Sequence, residues 1–167
     1  MKEILVAPVP RSAIVLGKIA GSSTVAVFNG VAVMTIATLI GAIPAAQLSV
    51  GGIMLAVLFM LLISTVFVAI GLSIATQFNS TEGFQLIMNF LIMPIFFLSG
   101  AFFPISTAPV WMRIIAHVDP LMYGVEGMRW SLLGISSVPG GISLAVLFGL
   151  GTILVLISAR LFSRMDV

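Results

Sequence analysis

No cysteine occurs in these 167 residues, so neither a disulfide nor a thiolate-held metal can contribute to the fold or the chemistry. Charge is nearly as scarce. Seven Lys and Arg with five Asp and Glu make up 7% of the chain, against about 25% in an ordinary globular domain. Twelve charges cannot give a domain of this length a polar shell. There is one histidine, His117, too few to build a metal site. No G-x-S-x-G elbow and no Gly-rich phosphate loop are present, which excludes a Walker-type ATPase within the chain. The net charge of +2 and a pI near 9.7 come from scattered basic residues that form no stripe, so no nucleic acid is expected. No secretory signal is expected from the first residues, because the apolar run Ile4–Pro10 is too short and Pro8 breaks it.

What the chain does have is apolar length. It is 60% hydrophobic with a mean hydropathy of +1.30, the composition of an integral membrane protein. Four uncharged runs, 19–43, 50–77, 84–103 and 141–159, reach the roughly 20 residues that a transmembrane helix needs. None alternates in polarity as a barrel strand would. Small residues recur within them, among them Ser23, Gly30, Ser64 and Gly71, and these predict close helix packing. Lys2, Arg11 and Lys18 precede the first run, and Arg160 and Arg164 follow the last. Basic residues favour the cytoplasmic side, so both termini are expected there. Residues 1–18 read as a cytoplasmic surface segment that turns into the first span at Gly17-Lys18. The link Asn79–Gly83 carries Asn79 three residues before Glu82, the spacing of a capping box.

Between the third and fourth runs lies a different kind of sequence. Arg113, Asp119, Glu126 and Arg129 fall here, with the only histidine, the only tyrosine (Tyr123) and both tryptophans, Trp111 and Trp130. Pro109 and the Asp119-Pro120 pair predict two short helices over about 109–118 and 120–133, since proline suits a first helical position and aspartate an N-cap. The first collects Trp111, Ile114, Ile115 and Val118 on one face. The second sets Tyr123, Glu126 and Trp130 at i, i+3 and i+7, and Glu126 three residues before Arg129. At 1.5 Å per residue each is about 15–20 Å long, too short for a core of about 30 Å. A hairpin over about 106–134 therefore lies at the interface or enters part-way and returns. Lone charges are costly at that depth, so Glu126 and Arg129 are expected to pair. Ser99, His117 and Asp119 are the residue types of a hydrolytic triad. Capping accounts for Asp119, an interfacial position accounts for His117, and no catalytic residue is assigned. The expected fold is an all-α integral membrane protein: four transmembrane helices plus an external re-entrant or interfacial helical hairpin.

Three passages together resemble a known family. "EILVAPVPRSAIVLGK" (residues 3–18), "PIFFLSGAFFPISTAPVWMRIIAHVDPLMYGVEGMRW" (94–130) and the final span with its basic tail (141–166) are similar to the carboxy-terminal two-thirds of ABC-2 type permeases, the membrane subunits of a group of ATP-driven exporters. The Ser-Gly-x-x-Phe-Pro and Asp-Pro-Leu elements of the middle passage carry most of the likeness, with Asp119 where the family commonly has Asn. That family typically has six spans, which implies that this chain is a portion lacking the first two, with Met1 an internal methionine.

The resemblance implies a drug-efflux-like permease subunit moving a hydrophobic or amphipathic substrate out across the inner membrane. It implies a separate ATPase subunit that holds ATP and Mg, and a second permease copy; no cofactor is expected on this chain. It further implies that Glu3, Pro8, Arg11 and Lys18 contact the ATPase. Trp111, Asp119, Pro120, Tyr123, Glu126 and Arg129 would shape the outer mouth. Asn29, Gln85 and Asn89 are the polar residues available to line a path, or else to hydrogen-bond between helices. Two alternatives stand beside this reading. One is a membrane anchor or assembly protein that transports nothing. The other is an ion-coupled carrier, disfavoured by the lack of an ionisable group within any span.

Overall fold

A computed structural model describes residues 11–44, 48–78, 80–102 and 105–163, without the side chains of Arg11, Ser12, Ser106 and Ser163. Glu3 and Pro8 lie outside the described residues, as do Asn79 and the side chain of Arg11. Among the described residues all regular structure is helical: α1 (Arg11–Leu39), α2 (Val50–Ala75), α3 (Thr81–Leu98), a short 3-10 turn (Ile105–Thr107), α4 (Val110–Ala116), α5 (Pro120–Leu133) and α6 (Gly140–Ser163). The helices α1, α2, α3 and α6 are each long and apolar enough to cross a membrane. The four expected spans are present, and so are the two short helices between the third and fourth.

Each boundary has a local cause. Ser49 caps α2 by accepting from the Gly52 N–H, and Asp119 caps α5 by accepting from Leu121 with Pro120 in the first turn. Gly134, at φ 69°, closes α5 in the left-handed conformation that a side chain disfavours. The start of α3 differs from the expected box. Its cap is Ser80, whose hydroxyl accepts from the Gly83 N–H at 3.2 Å, and Glu82 sits in the first turn, where a carboxylate favours the helix dipole. Nor does α3 run on to Phe103. It stops at Leu98 with Ser99 as C-cap, and Gly100 turns at φ 80°. At Gly17-Lys18, where the surface segment is expected to turn into the first span, α1 continues through both residues. One glycine costs a helix only about 1 kcal/mol, and no proline interrupts the run. Pro109 is the N-cap of α4 rather than its first helical residue.

The centre of the bundle is α2. Against it α1 runs antiparallel, with Ser23 and Ser64 sharing a buried hydrogen bond of 2.8 Å and Gly30 making room for Met60. On another side α6 packs its Leu147 against Phe59 and Val66 of α2, while Val15, Ile19 and Leu72 form a second cluster nearer the Ala75 end. The peripheral helix is α3, which buries none of its residues.

Candidate functional site

The hairpin α4–α5 does not lie flat on the end of the bundle. Ser131, Gly127 and Gly124 of α5 face Gly52, Phe59 and Ile63 of α2 in that order, so α5 runs antiparallel to α2 and meets it from Gly52 to Ile63. Those positions span about 16 Å at the helical rise, over the first half of the 26-residue helix. The close approach is sequence-encoded. A Cβ at Gly127 would collide with the Phe59 ring, and one at Gly124 would come within 2.5 Å of Ile63 Cδ1. Small residues here play the part they play between membrane helices generally. Met122 is buried against Ile105, Ala116 and Val138, which fastens the inner end of α5 to the chain on either side.

Within this helix sits the buried carboxylate of an ion pair. The Glu126 side chain is 0% exposed and accepts from Arg129 Nη1 at 2.8 Å. Its other oxygen accepts a short hydrogen bond from the backbone N–H of Ser137, in the link to α6. Arg129 in turn donates from Nη2 to the carbonyl of Gly100 at 3.2 Å, at the end of α3. One ion pair thus ties the hairpin to the end of α3 and the start of α6. Every contact is charge-assisted, which is what makes a buried pair tolerable.

The remaining hairpin residues have separate settings. Asp119 is buried, and its Oδ2 has no hydrogen-bond partner among the described residues. Burial raises its pKa to about 6, against hydrogen bonds from the Leu121 and Met122 backbone that lower it. Tyr123 donates its hydroxyl to the His117 carbonyl at 2.9 Å and packs on the Phe59–Val66–Leu147 cluster. Trp130 lays its ring over Gly140, where a Cβ would overlap it. Trp111, Ile114, Ile115 and Val118 are all exposed, so the apolar face of α4 points away from this chain. The triad residue types are each engaged locally: Ser99 Oγ donates to the Phe96 carbonyl, the His117 ring bonds the Arg113 carbonyl, and Asp119 caps α5.

The three path candidates are not brought together. Asn29 lines an open cleft of about 520 Å³ between α1, α2 and α5, whose other walls include Met34, Met60, Met128 and Leu132. Gln85 and Asn89 stand exposed on α3. Lys18 is also exposed and lines a separate crevice at the Ala75 end of α2. Sequence reasoning found the Glu126–Arg129 pair but not its partners at Gly100 and Ser137, nor the Met-rich cleft. The Ser99-Gly100 dipeptide was the one local sign of a turn at the first of these.

Comparison with known proteins adds a family to this geometry. The sequence profile described as "ABC-2 type transporter" matches residues 1–133. The chain is 27% identical over 139 residues to the inner membrane transport permease YadH of Escherichia coli K12, covering 83% of this chain and 52% of that protein. It is 30% identical over 133 residues to the putative transport permease ycf38 of Pyropia yezoensis, covering 78% of this chain and 44% of that one. Nodulation protein J of Sinorhizobium fredii is 27% identical over 128 residues, covering 77% and 46% respectively. The chain therefore spans about half the length of the curated relatives it matches.

Proposed function

The chain belongs to the ABC-2 type transporter family, and from that premise we propose that it forms the permease part of an ATP-driven exporter in a bacterial-type inner membrane. A separate ATPase subunit supplies ATP hydrolysis, and a second permease copy completes the path. Both termini are cytoplasmic on this reading, which puts the hairpin on the outer side. The basic residues support it: Arg11, Lys18 and Arg160 lie at the Ala75 end of the bundle, and Arg113 and Arg129 are accompanied by Asp119 and Glu126 at the other.

One observation carries the proposal. A re-entrant helix enters beside α2 to half its length and is bonded through Glu126 and Arg129 to the ends of α3 and α6. Displacing either of those ends pulls directly on the element that closes the outer mouth. Trp111, Asp119, Pro120, Tyr123, Glu126 and Arg129 are the gate residues on this view, and Glu3, Pro8, Arg11 and Lys18 the candidates for ATPase contact. A hydrophobic or amphipathic substrate, whether a drug, a lipid-like or a glycan-linked molecule, suits the Met-lined cleft at Asn29. Thioether side chains repack around varied apolar shapes. Gln85 and Asn89 on the bare face of α3 would meet substrate or the second copy.

The test is transport. Inside-out vesicles carrying the permease and its ATPase should accumulate a fluorescent amphipath only with ATP. Glu126→Gln should lower the rate while leaving the ATPase bound. Accumulation driven by an ion gradient without ATP would sink the exporter and favour a secondary carrier. No accumulation under any driving force, with the ATPase bound, would favour an anchor.

A further inference from the structure

Where α2 ends and α3 begins, α1, α2 and α3 leave a crevice of about 690 Å³, within the roughly 300–1,000 Å³ of small-molecule sites. Its chemistry is divided. Lys18, Ser80 and Thr81 are the polar residues of its lining, and the others are apolar, Leu72 and Phe84 among them. Lys18 is the one charged residue lining it, and its ammonium has no hydrogen bond or ion pair among the described residues. Gly71 keeps the crevice open: a Cβ there would meet nothing nearer than Met88 Cε at 3.9 Å.

Depth distinguishes Lys18 from the basic residues before it. It lies seven residues beyond Arg11 on the same continuous helix, about 10 Å further along the axis. A lysine so placed keeps its stem against apolar surface and its ammonium at the headgroup level. A soluble anion would satisfy the ammonium and leave the apolar walls bare, whereas a neutral lipid would cover the walls and leave the positive charge unmatched. We infer that this crevice binds an anionic phospholipid, with its phosphate on Lys18, Ser80 and Thr81 and one acyl chain along Leu72 and Phe84. The assignment takes Lys18 out of the ATPase-contact set and leaves Glu3, Pro8 and Arg11 there. It requires only that this end of the bundle lies at a lipid headgroup layer, so it stands apart from the transport reading.

Native mass spectrometry of the full chain, released from nanodiscs of equal parts phosphatidylglycerol and phosphatidylcholine, reads the site directly. The wild type should retain one phosphatidylglycerol in about five-fold preference, the weight of one lysine at an anionic surface. Lys18→Gln should abolish the preference and Lys18→Arg should keep it. Gly71→Leu, which fills the apolar wall without touching the charge, should lower retention of the lipid even if Lys18→Gln does not accumulate. An unchanged preference in Gly71→Leu or in Lys18→Gln would overturn the assignment. Displacement of the lipid by inorganic phosphate would make this an anion site without a lipid tail. Loss of ATPase co-purification in Lys18→Gln with the lipid preference intact would return Lys18 to the ATPase contact and overturn it as well.

Discussion

The Phe59 ring occupies the space that a side chain at Gly127 would need, so the approach of α5 to α2 depends on that glycine. Gly127→Ala should therefore force the helices apart and cost about 1–3 kcal/mol, the usual toll of overpacking a filled interior. The measurement is thermal unfolding in detergent, followed by the fluorescence of Trp130, whose ring rests on Gly140. Adding Phe59→Leu should recover part of the loss. A Gly127→Ala protein as stable as wild type would show that α5 does not sit against α2.

Removing Arg129 strands a fully buried carboxylate, whereas removing Glu126 leaves a guanidinium that is 22% exposed and still bonded to the Gly100 carbonyl. Arg129→Ala should therefore lose about 3–5 kcal/mol and Glu126→Ala less, and the double variant should lose less than their sum. Arg129→Lys is expected to be intermediate, since a point-charge ammonium cannot hold both Glu126 and the Gly100 carbonyl as the forked guanidinium does. Additive losses would show that the two residues act independently.

Asp119 predicts a pH dependence. Its folded pKa of about 6 lies above the ordinary 3.8, so the folded chain holds the proton more tightly than the unfolded chain. The contribution of Asp119 is then greatest below about pH 4, falls as the pH rises toward 6, and is level above. The full span is about 3 kcal/mol. Asp119→Asn keeps the capping oxygen and removes the titration, so its stability should be flat over that window. A variant that retains the wild-type slope would place the titrating group elsewhere.

How much of this was legible beforehand follows from what kind of information each feature is. Spans are runs of about twenty apolar residues, a property of the chain in one dimension, and all four are present, with boundaries shifted by up to eight residues at the start of α1. The hairpin announced itself through Pro109, Asp119 and Pro120, and the ion pair through an i, i+3 spacing that any helix brings together. The small residues Ser23, Gly30 and Ser64 were read as packing and do pack. The two partners that make the ion pair a junction were not legible. Both are backbone atoms, 29 and 11 residues away along the chain, and every residue offers such atoms. The depth of α5 was equally hidden, because glycines at 124 and 127 signal a close approach without naming the helix approached. At the start of α3 two adjacent polar residues competed for the cap, and spacing alone favoured Asn79 over Ser80.

The absence of cysteine makes sidedness directly measurable. Single cysteines at Ala108 and Ile135, flanking α4 and α5, should react with an impermeant thiol reagent added outside intact cells. Cysteines at Gln77, on the link between α2 and α3, and at Glu82, in the first turn of α3, both exposed, should react only after permeabilisation. The reverse pattern would invert the chain in the membrane and remove the hairpin from the outer mouth.

The Glu126 carboxylate also bears on assembly. Gly100, Arg129 and Ser137 leave the ribosome in that sequence. The Ser137 amide, which satisfies the second carboxylate oxygen, belongs to the link that follows α5. Without that amide the oxygen needs water or another donor, because a buried charge left unpaired is costly. The fully bonded, buried state of Glu126 thus requires the chain through Ser137, and the seating of α5 is linked to the start of α6.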